Sequence, residues 1–319
     1  MILGEKMQKN IIVSCVMIAT LLTACNNTSV DNTSTTNDQI ELYHAFGNEK
    51  HLLVEGRTVN KSSESIVSEN DSGYTNAWNA LNFFQNDELK NKKVFLTIDK
   101  EKYETQSDNE GYFSFNTTLS KVHTMSYTHI SLQIKNNKNS HNAQATILSS
   151  QKEMIGIISD IDDTVVVSDV PHKTELLLNT FWKNYKQREV IPTMVERFQK
   201  ILAANPPTQP SRLFFISGSP KQLYSPIEKF LTYNHFPKHI LILKQTHGKD
   251  KDSLSDQLAY KTKKIEALID LYPHMKWIMF GDSGEKDLET YEGIKEKYPD
   301  KIKAYYIRNV NSKEITRIE

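Results

Sequence analysis

The apolar positions change their spacing twice along the chain. They begin as a dense run, Ile11 to Ala24, behind a short start that carries Lys6 and Lys9. Its fourteen residues fall short of the roughly 20 that a membrane-spanning helix needs, and suit the hydrophobic region of a secretory signal. From Asn26 to Gln39 the tract is nearly all Asn, Thr, Ser and Asp. It holds too little apolar surface to offset chain entropy and reads as a flexible tether. From about Ile40 to Ser150 the apolar residues return at period two. His51 to Val59, Lys93 to Asp99, Gly111 to Asn116 and His129 to Lys135 each mix β-branched or aromatic residues with polar ones, and turn-rich clusters separate them. This predicts a small antiparallel β-sandwich-like domain, interrupted by one helix over Thr75 to Gln85.

From Lys152 onward strands and helices alternate. Strands are predicted at Met154 to Ile158, Arg212 to Ile216, His239 to Lys244, Trp277 to Phe280 and Lys303 to Arg308. Helices are predicted at Lys173 to Lys186, Pro192 to Ala204, Pro220 to Tyr233, Leu258 to Leu271 and Asp287 to Lys297. Apolar strands between amphipathic helices imply an α/β body, a parallel sheet covered on both faces. The expected boundaries are a leader at 1–24, a tether at 25–40, the β-sandwich-like domain at 41–150 and the α/β domain at 151–319.

In a parallel sheet chemistry collects at the carboxyl ends of the strands. There the polar residues fall: Asp160-Ile161-Asp162-Asp163-Thr164 after the first strand, Ser217-Gly218-Ser219-Pro220 after the second, and Gly281-Asp282 through Asp287 after the fourth. Tyr260-Lys261 opens the long helix between the last two. A lone D-x-D-x-T string says little; four elements in this order, each at its expected position in a parallel α/β body, say much more. The first half assembles nothing comparable. Its His44, His51, His123, His129 and His141 lack metal-ligand spacing and read as solvated or structural.

Charge and cysteine content narrow the picture. Thirty-nine basic residues balance 39 acidic ones, so the bulk charge gives no reason to expect a nucleic-acid partner. The two cysteines, Cys15 and Cys25, both precede the folded part, which therefore folds without a disulfide. Leu22-Thr23-Ala24-Cys25 resembles the bacterial lipobox. That resemblance implies cleavage before Cys25, a lipid on its sulfur, and a chain anchored outside the cytoplasm to the cell membrane or, Asn26 rather than Asp following, the outer membrane.

The strand-end set resembles the motifs of the haloacid dehalogenase-like phosphatases: Asp160, Asp162 and Thr164, then Ser217, Lys261, and Asp282 with Asp287. The strings I-S-D-I-D-D-T-V at 158–165, I-S-G-S-P-K-Q-L at 216–223, G-D-S-G-E-K-D at 281–287 followed by Tyr291, and Tyr306-Ile307-Arg308 are more closely similar to the actin-patch-associated phosphatidate phosphatases and their bacterial relatives. D-N-E-G-Y-F at 108–113 resembles the β domain of those relatives, with less specificity. The resemblance implies a haloacid dehalogenase-like Rossmannoid sheet behind the β domain, and Mg²⁺ as cofactor. It also implies a metal site at Asp160, Asp162 and Asp282, with Asp162 contributing its backbone carbonyl.

The chemistry supports those roles. An anionic phosphate ester repels nucleophiles, so a site needs charge compensation and an in-line attacking oxygen. Asp160 can attack phosphorus and form an aspartyl-phosphate, splitting one difficult step into two. Asp162 can protonate the leaving alkoxide and then accept the proton of the hydrolytic water. Ser217 donates to the phosphoryl group, Lys261 balances its charge, and Asp287 holds Lys261 or a metal-bound water. Thr164 is expected to fix the turn through its hydroxyl, and Asp163 and Glu285 to stand aside or to act only through a neighbouring group.

The intervals between Asp160, Ser217 and Lys261 leave no room for a large folded cap. An open site suits a phosphomonoester lipid presented on a surface, phosphatidate first. The alternatives are a broad-specificity surface acid phosphatase acting on soluble phosphomonoesters such as nucleotides, and a non-catalytic lipid-binding module, which the retained Asp160 and Asp162 disfavour. Trp182, Lys183, Tyr185, Lys186 and Arg188 form a basic, aromatic segment that either touches a bilayer or packs on the core.

Overall fold

The computed structural model describes residues 38–60, 67–76, 87–167, 183–248, 251–252 and 256–318. The leader, Cys25, Trp182 and most of the tether lie outside them, as do most of the helices expected at 75–85 and 173–186. Among the described residues no helix is long and apolar enough to cross a membrane.

The first sheet holds β1 (Asp38–Gly47), β2 (His51–Asn60), β3 (Asp87–Glu88), β4 (Lys93–Ile98), β5 (Glu101–Gln106), β6 (Tyr112–Thr118), β7 (Tyr127–Ile134) and β8 (His141–Ile147). Their order is β3-β2-β1-β8-β7-β4-β5, with β6 also on β2. Pairing is antiparallel except where Phe46 and Gly47 of β1 meet Thr146 and Ile147 of β8 in parallel. Period two decides what goes inside: in β4, Val94, Leu96 and Ile98 are buried while their neighbours are not. These three share one apolar cluster with Leu52 and Val54 of β2 and Phe113 and Phe115 of β6, although three strands separate β2 from β4. The sheet therefore curls over its own core. Asp38, Gln39 and Ile40, assigned from sequence to the tether, pair with Asn60, Val59 and Thr58.

The second sheet runs β11-β10-β9-β12-β13-β14. Its strands are β9 (Met154–Ser159), β10 (Leu213–Pro220), β11 (His239–Lys244), β12 (Met275–Asp282), β13 (Ile302–Arg308) and β14 (Ile315–Ile318). The first five are parallel; β14, which no sequence pattern announces, closes the edge antiparallel to β13. Among the described residues four helices cover it: α1 (Pro192–Leu202), α2 (Tyr224–Tyr233), α3 (Gln257–Leu271) and α4 (Asp287–Lys297). In β10, Phe214 and Ile216 join the layer of α3 and α4, while Leu213 and Phe215 join that of α1 and α2. A strand buried on both faces must be apolar throughout, which is why these strands read as continuous runs. At Gly156 in β9, a Cβ would stand 2.5 Å from the Trp277 ring, so only glycine lets that indole fill the layer.

The two sheets belong to one compact unit, residues 37–319. Phe46 and Leu148 enter the apolar layer of α3 and α4, and Phe46 meets Phe214 edge-on at 5.7 Å. Polar ties complete the seam: Asn48 Nδ2 donates to the Leu271 carbonyl at 3.0 Å, and the Tyr272 hydroxyl to that of Gly47 at 3.0 Å. Chain order turns back at β9, whose neighbours are β10 and β12. That places the carboxyl ends of β9, β10 and β12 around one crevice.

Candidate active site

Asp160 follows the last residue of β9 and stays tied to the sheet, its N–H donating to the Phe280 carbonyl at 2.9 Å. The chain then turns sharply, with Thr164, Val165 and Val166 all donating backbone N–H groups to the Ile161 carbonyl. Asp163 takes a left-handed conformation there, φ 56°. Arg308, at the end of β13, donates to its carbonyl at 2.7 Å and pins it. Backbone bonds thus hold the turn, and the role expected of the Thr164 hydroxyl is not seen: Oγ1 is buried without a hydrogen-bond partner among the described residues.

Lys261 enters from the second turn of α3 and is wholly buried. Its Nζ lies 2.9 Å from Asp160 Oδ1, 2.5 Å from Asp287 Oδ1 and 3.2 Å from Glu285 Oε2. Asp282 ends β12; its Oδ1 accepts the N–H groups of Gly284 at 2.6 Å and Glu285 at 3.1 Å. Asp287, at the start of α4, accepts the Asp282 N–H on its Oδ2 at 3.2 Å. The approach requires Gly281, where a Cβ would stand 2.5 Å from the Asp287 side chain. Asp160, Lys261, Asp282 and Asp287, far apart in sequence, thus form one cluster. Ser217 sits buried at the adjacent end of β10, its Oγ accepting the Ser219 N–H at 3.0 Å and its proton left to donate.

One placement adds to the expected site. Glu285, expected from sequence to stand aside or to act through a neighbouring group, brings a carboxylate oxygen within 4.8 Å of those of Asp160 and Asp282. The Asp162 side chain, expected to handle protons rather than to ligate, accepts from the Ser219 hydroxyl at 3.2 Å and lies 3.5 Å from Arg188 Nη2. The side-chain carboxylate that joins those of Asp160 and Asp282 is Glu285. Lys183 to Arg188 form a turn rather than the end of a helix. Within it Lys186 donates to the Val67 carbonyl at 3.1 Å, and Tyr185 packs edge-on against Tyr233. Only contacts between distant segments reveal Arg188 and Glu285; the one sequence signal was Glu285's position between two motif carboxylates.

Burial pushes the Asp160 carboxyl well above the usual range, with Asp287, Glu285 and Asp282 adding to it and Lys261 opposing. Asp282 rises to about 7, through burial and then the charges of Asp287 and Glu285. Asp162 rises by burial, with Arg188 pulling against it. Burial pulls Lys261 down, but Asp160, Asp287 and Glu285 outweigh it and hold the ammonium charged. Four carboxylates thus face one ammonium. Asp160 Oδ2 and Asp282 Oδ2 are buried with no hydrogen-bond partner among the described residues. Unpaired hard oxygen atoms with excess negative charge are a donor set for a hard divalent cation.

Residues 155–309 match the profile of the family described as phosphatidate phosphatase APP1, catalytic domain. Phosphatidate phosphatase APP1 of Saccharomyces cerevisiae is 29% identical over 158 residues, covering 48% of this chain and 26% of that protein. An uncharacterised protein of Schizosaccharomyces pombe is 30% identical over 167 residues, covering 50% and 26%. The chain thus spans about a quarter of the length of these curated relatives. Among solved structures, a carbohydrate acetylesterase from Xanthomonas citri aligns over 85% of this chain and 68% of its own, at 10% identity and a TM-score of 0.27, too remote to bear on the fold. The matched family is one of phosphoric monoester hydrolases, and its catalytic-domain match takes in every member of the buried cluster.

Proposed function

We propose that the chain is a Mg²⁺-dependent phosphatidate phosphatase with a haloacid dehalogenase-like catalytic body, tethered through a lipid on Cys25 to a bacterial membrane outside the cytoplasm. The observation that carries this reading is the buried cluster of Asp160, Lys261, Asp282, Glu285 and Asp287, with its two unpartnered carboxylate oxygens, inside the stretch that matches a phosphatidate phosphatase catalytic domain. Asp160, Asp282 and Glu285 would hold the cation, which would neutralise the phosphoryl oxygens and the surplus carboxylate charge.

The chain's own groups account for the rest. A carboxylate oxygen of Asp160 attacks phosphorus as the P–O bond to the diacylglycerol oxygen breaks, and Asp162 gives that oxygen its proton. Water then attacks the aspartyl-phosphate and loses a proton to Asp162, releasing inorganic phosphate and restoring Asp160. Burial favours this: raised above its usual range, Asp162 carries a proton more readily, while Arg188 and Ser219 fix where that proton points. Ser217 and Lys261 bind the phosphoryl oxygens, and Asp287 holds Lys261 against them.

The test is phosphate release from phosphatidate vesicles with Mg²⁺, beside Asp160→Asn and Asp162→Asn. Both variants are expected to lose nearly all turnover, and undiminished rates would sink the mechanism. Competition by nucleoside monophosphates reads out the substrate: strong competition would replace the lipid by a soluble phosphomonoester. Cys25→Ser is expected to free the chain from the membrane fraction.

A further inference from the structure

At the same end of the second sheet, a cleft of about 850 Å³ opens between the β5–β6 turn of the first sheet and the segments that follow β10 and β11. Lys221 lies at its floor, Nζ 2.5 Å from Glu55 Oε2 and 3.0 Å from Gln245 Oε1, so this charge is already balanced. Lys263 and Lys264, on the turn of α3 that carries Lys261, line one wall, and Asn109 and Glu110 the other. The carboxylates of Asp108, Glu110 and Asp252 set against two lysines leave one excess negative charge, so the cleft is not a trap for anions. Nor does it suit an acyl chain: of its two aromatic rings, Tyr112 is 5% exposed and Phe113 4%.

Ligand pockets are usually apolar with a few polar groups. This one reverses the proportion, with ammonium and amide N–H donors interleaved among carboxylate and amide oxygens. A hydroxyl, one donor with two acceptor lone pairs, satisfies both kinds of wall at once. The walls are also fixed in advance. Asp108 Oδ1 accepts the N–H groups of Glu110 at 2.8 Å and Tyr112 at 3.0 Å, Asn91 Nδ2 donates to Asn109 Oδ1 at 3.1 Å, and Asp252 Oδ2 accepts the Gln245 N–H at 2.9 Å. Groups held in place lose little entropy on binding.

We propose that this cleft binds a neutral polyhydroxylated ligand, a glycosyl unit, supplied either by a free glycan or by a glycolipid headgroup. The inference does not depend on the phosphatase reading, because its readout is binding. The full chain is titrated calorimetrically with maltohexaose, cellohexaose and chitohexaose, and co-sedimented with phosphatidylcholine vesicles with and without diglucosyldiacylglycerol. The partner variant is Asn109→Ala with Lys263→Ala, both exposed positions whose loss is expected to leave the melting temperature unchanged. At least one probe is expected to bind, and the double variant to weaken it about tenfold or more. Binding of a hexasaccharide assigns a free glycan; binding of the glycolipid vesicles alone assigns a headgroup. Failure of every probe, or equal binding by the double variant, overturns the proposal.

Discussion

Among the described residues, two clusters of buried charge are built in opposite senses. One lies in the seam between the sheets: Lys221 pairs with Glu55, and His44 stands 3.8 Å from the same carboxylate while its Nδ1 meets the Leu241 carbonyl at 3.2 Å. Burial raises Glu55, but His44, Lys221 and Lys264 more than reverse it, to about 2. His44 falls to about 4 by burial and stays neutral. The other cluster crowds Asp160, Asp282, Glu285 and Asp287 about Lys261, and there burial drives Asp160 and Asp282 up. The first is closed, one cation to one anion. The second is incomplete, with oxygens that no described residue satisfies, and incompleteness at this cost is the mark of a site that expects a ligand.

The largest expected effect breaks the second cluster. Asp160→Asn removes the proposed nucleophile and is expected to cut phosphate release at least about 10³-fold. Its melting temperature is expected to hold or rise. A folded-state pKa raised above its unfolded value means that ionisation opposes folding as pH climbs, so a neutral isostere relieves the fold at neutral pH. A variant that melts well below the parent would overturn the contrast.

Glu55→Ala does the reverse. It leaves Lys221 buried beside Gln245 with no counter-charge, and is expected to cost about 3 kcal/mol or more in denaturant-induced unfolding. The seam therefore loses stability where the site does not.

How far the sequence foretold either cluster depends on the range of the contacts. Elements whose period is local were legible: β11 and α4 lie at the boundaries that the pattern predicts, His239 to Lys244 and Asp287 to Lys297. β5 was not, because Glu-Lys-Tyr-Glu-Thr-Gln runs along a sheet edge where every second residue faces water, and its polarity masks a strand. β1 was blurred because its first residues continue a polar tract, and only pairing with β2 separates them from it. Asp160, Ser217 and Asp282 were legible as motif residues at strand ends, and Lys261 as one near the start of a helix. Glu285 and Arg188 were not, since their roles come from contacts across 24 and 26 positions that no periodicity encodes. The His44 cluster spans 166 positions from Glu55 to Lys221 and left no sequence trace at all.

A smaller effect sharpens the seam's side of the comparison. His44 is held to about 4 against an ordinary 6.5, so its neutral form favours folding above pH 6.5 and that advantage is lost as pH falls toward 4. The Glu55 contribution is present above its ordinary 4.5 and is lost only below that, toward 2. Between pH 7 and about 4.5, then, His44 is the member of the pair that titrates. Unfolding free energy is expected to fall over that window by about 2 kcal/mol more in the parent than in His44→Gln. Equal slopes would place the acid sensitivity outside the seam.

The smallest effect concerns the residue whose role only the structure raises. Glu285→Gln keeps the size and the Lys261 hydrogen bond but removes one negative charge from the group that faces Asp160 and Asp282. If Glu285 helps to hold the cation, the Mg²⁺ concentration for half-maximal phosphate release should rise about tenfold, with saturated turnover nearly unchanged. If it only balances Lys261, the Mg²⁺ requirement stays put and turnover drops instead, because the ammonium then loses one of its three carboxylate partners. The two outcomes move different parameters of one titration. They decide whether the incomplete cluster is completed by three side-chain carboxylates or by Asp160 and Asp282 alone.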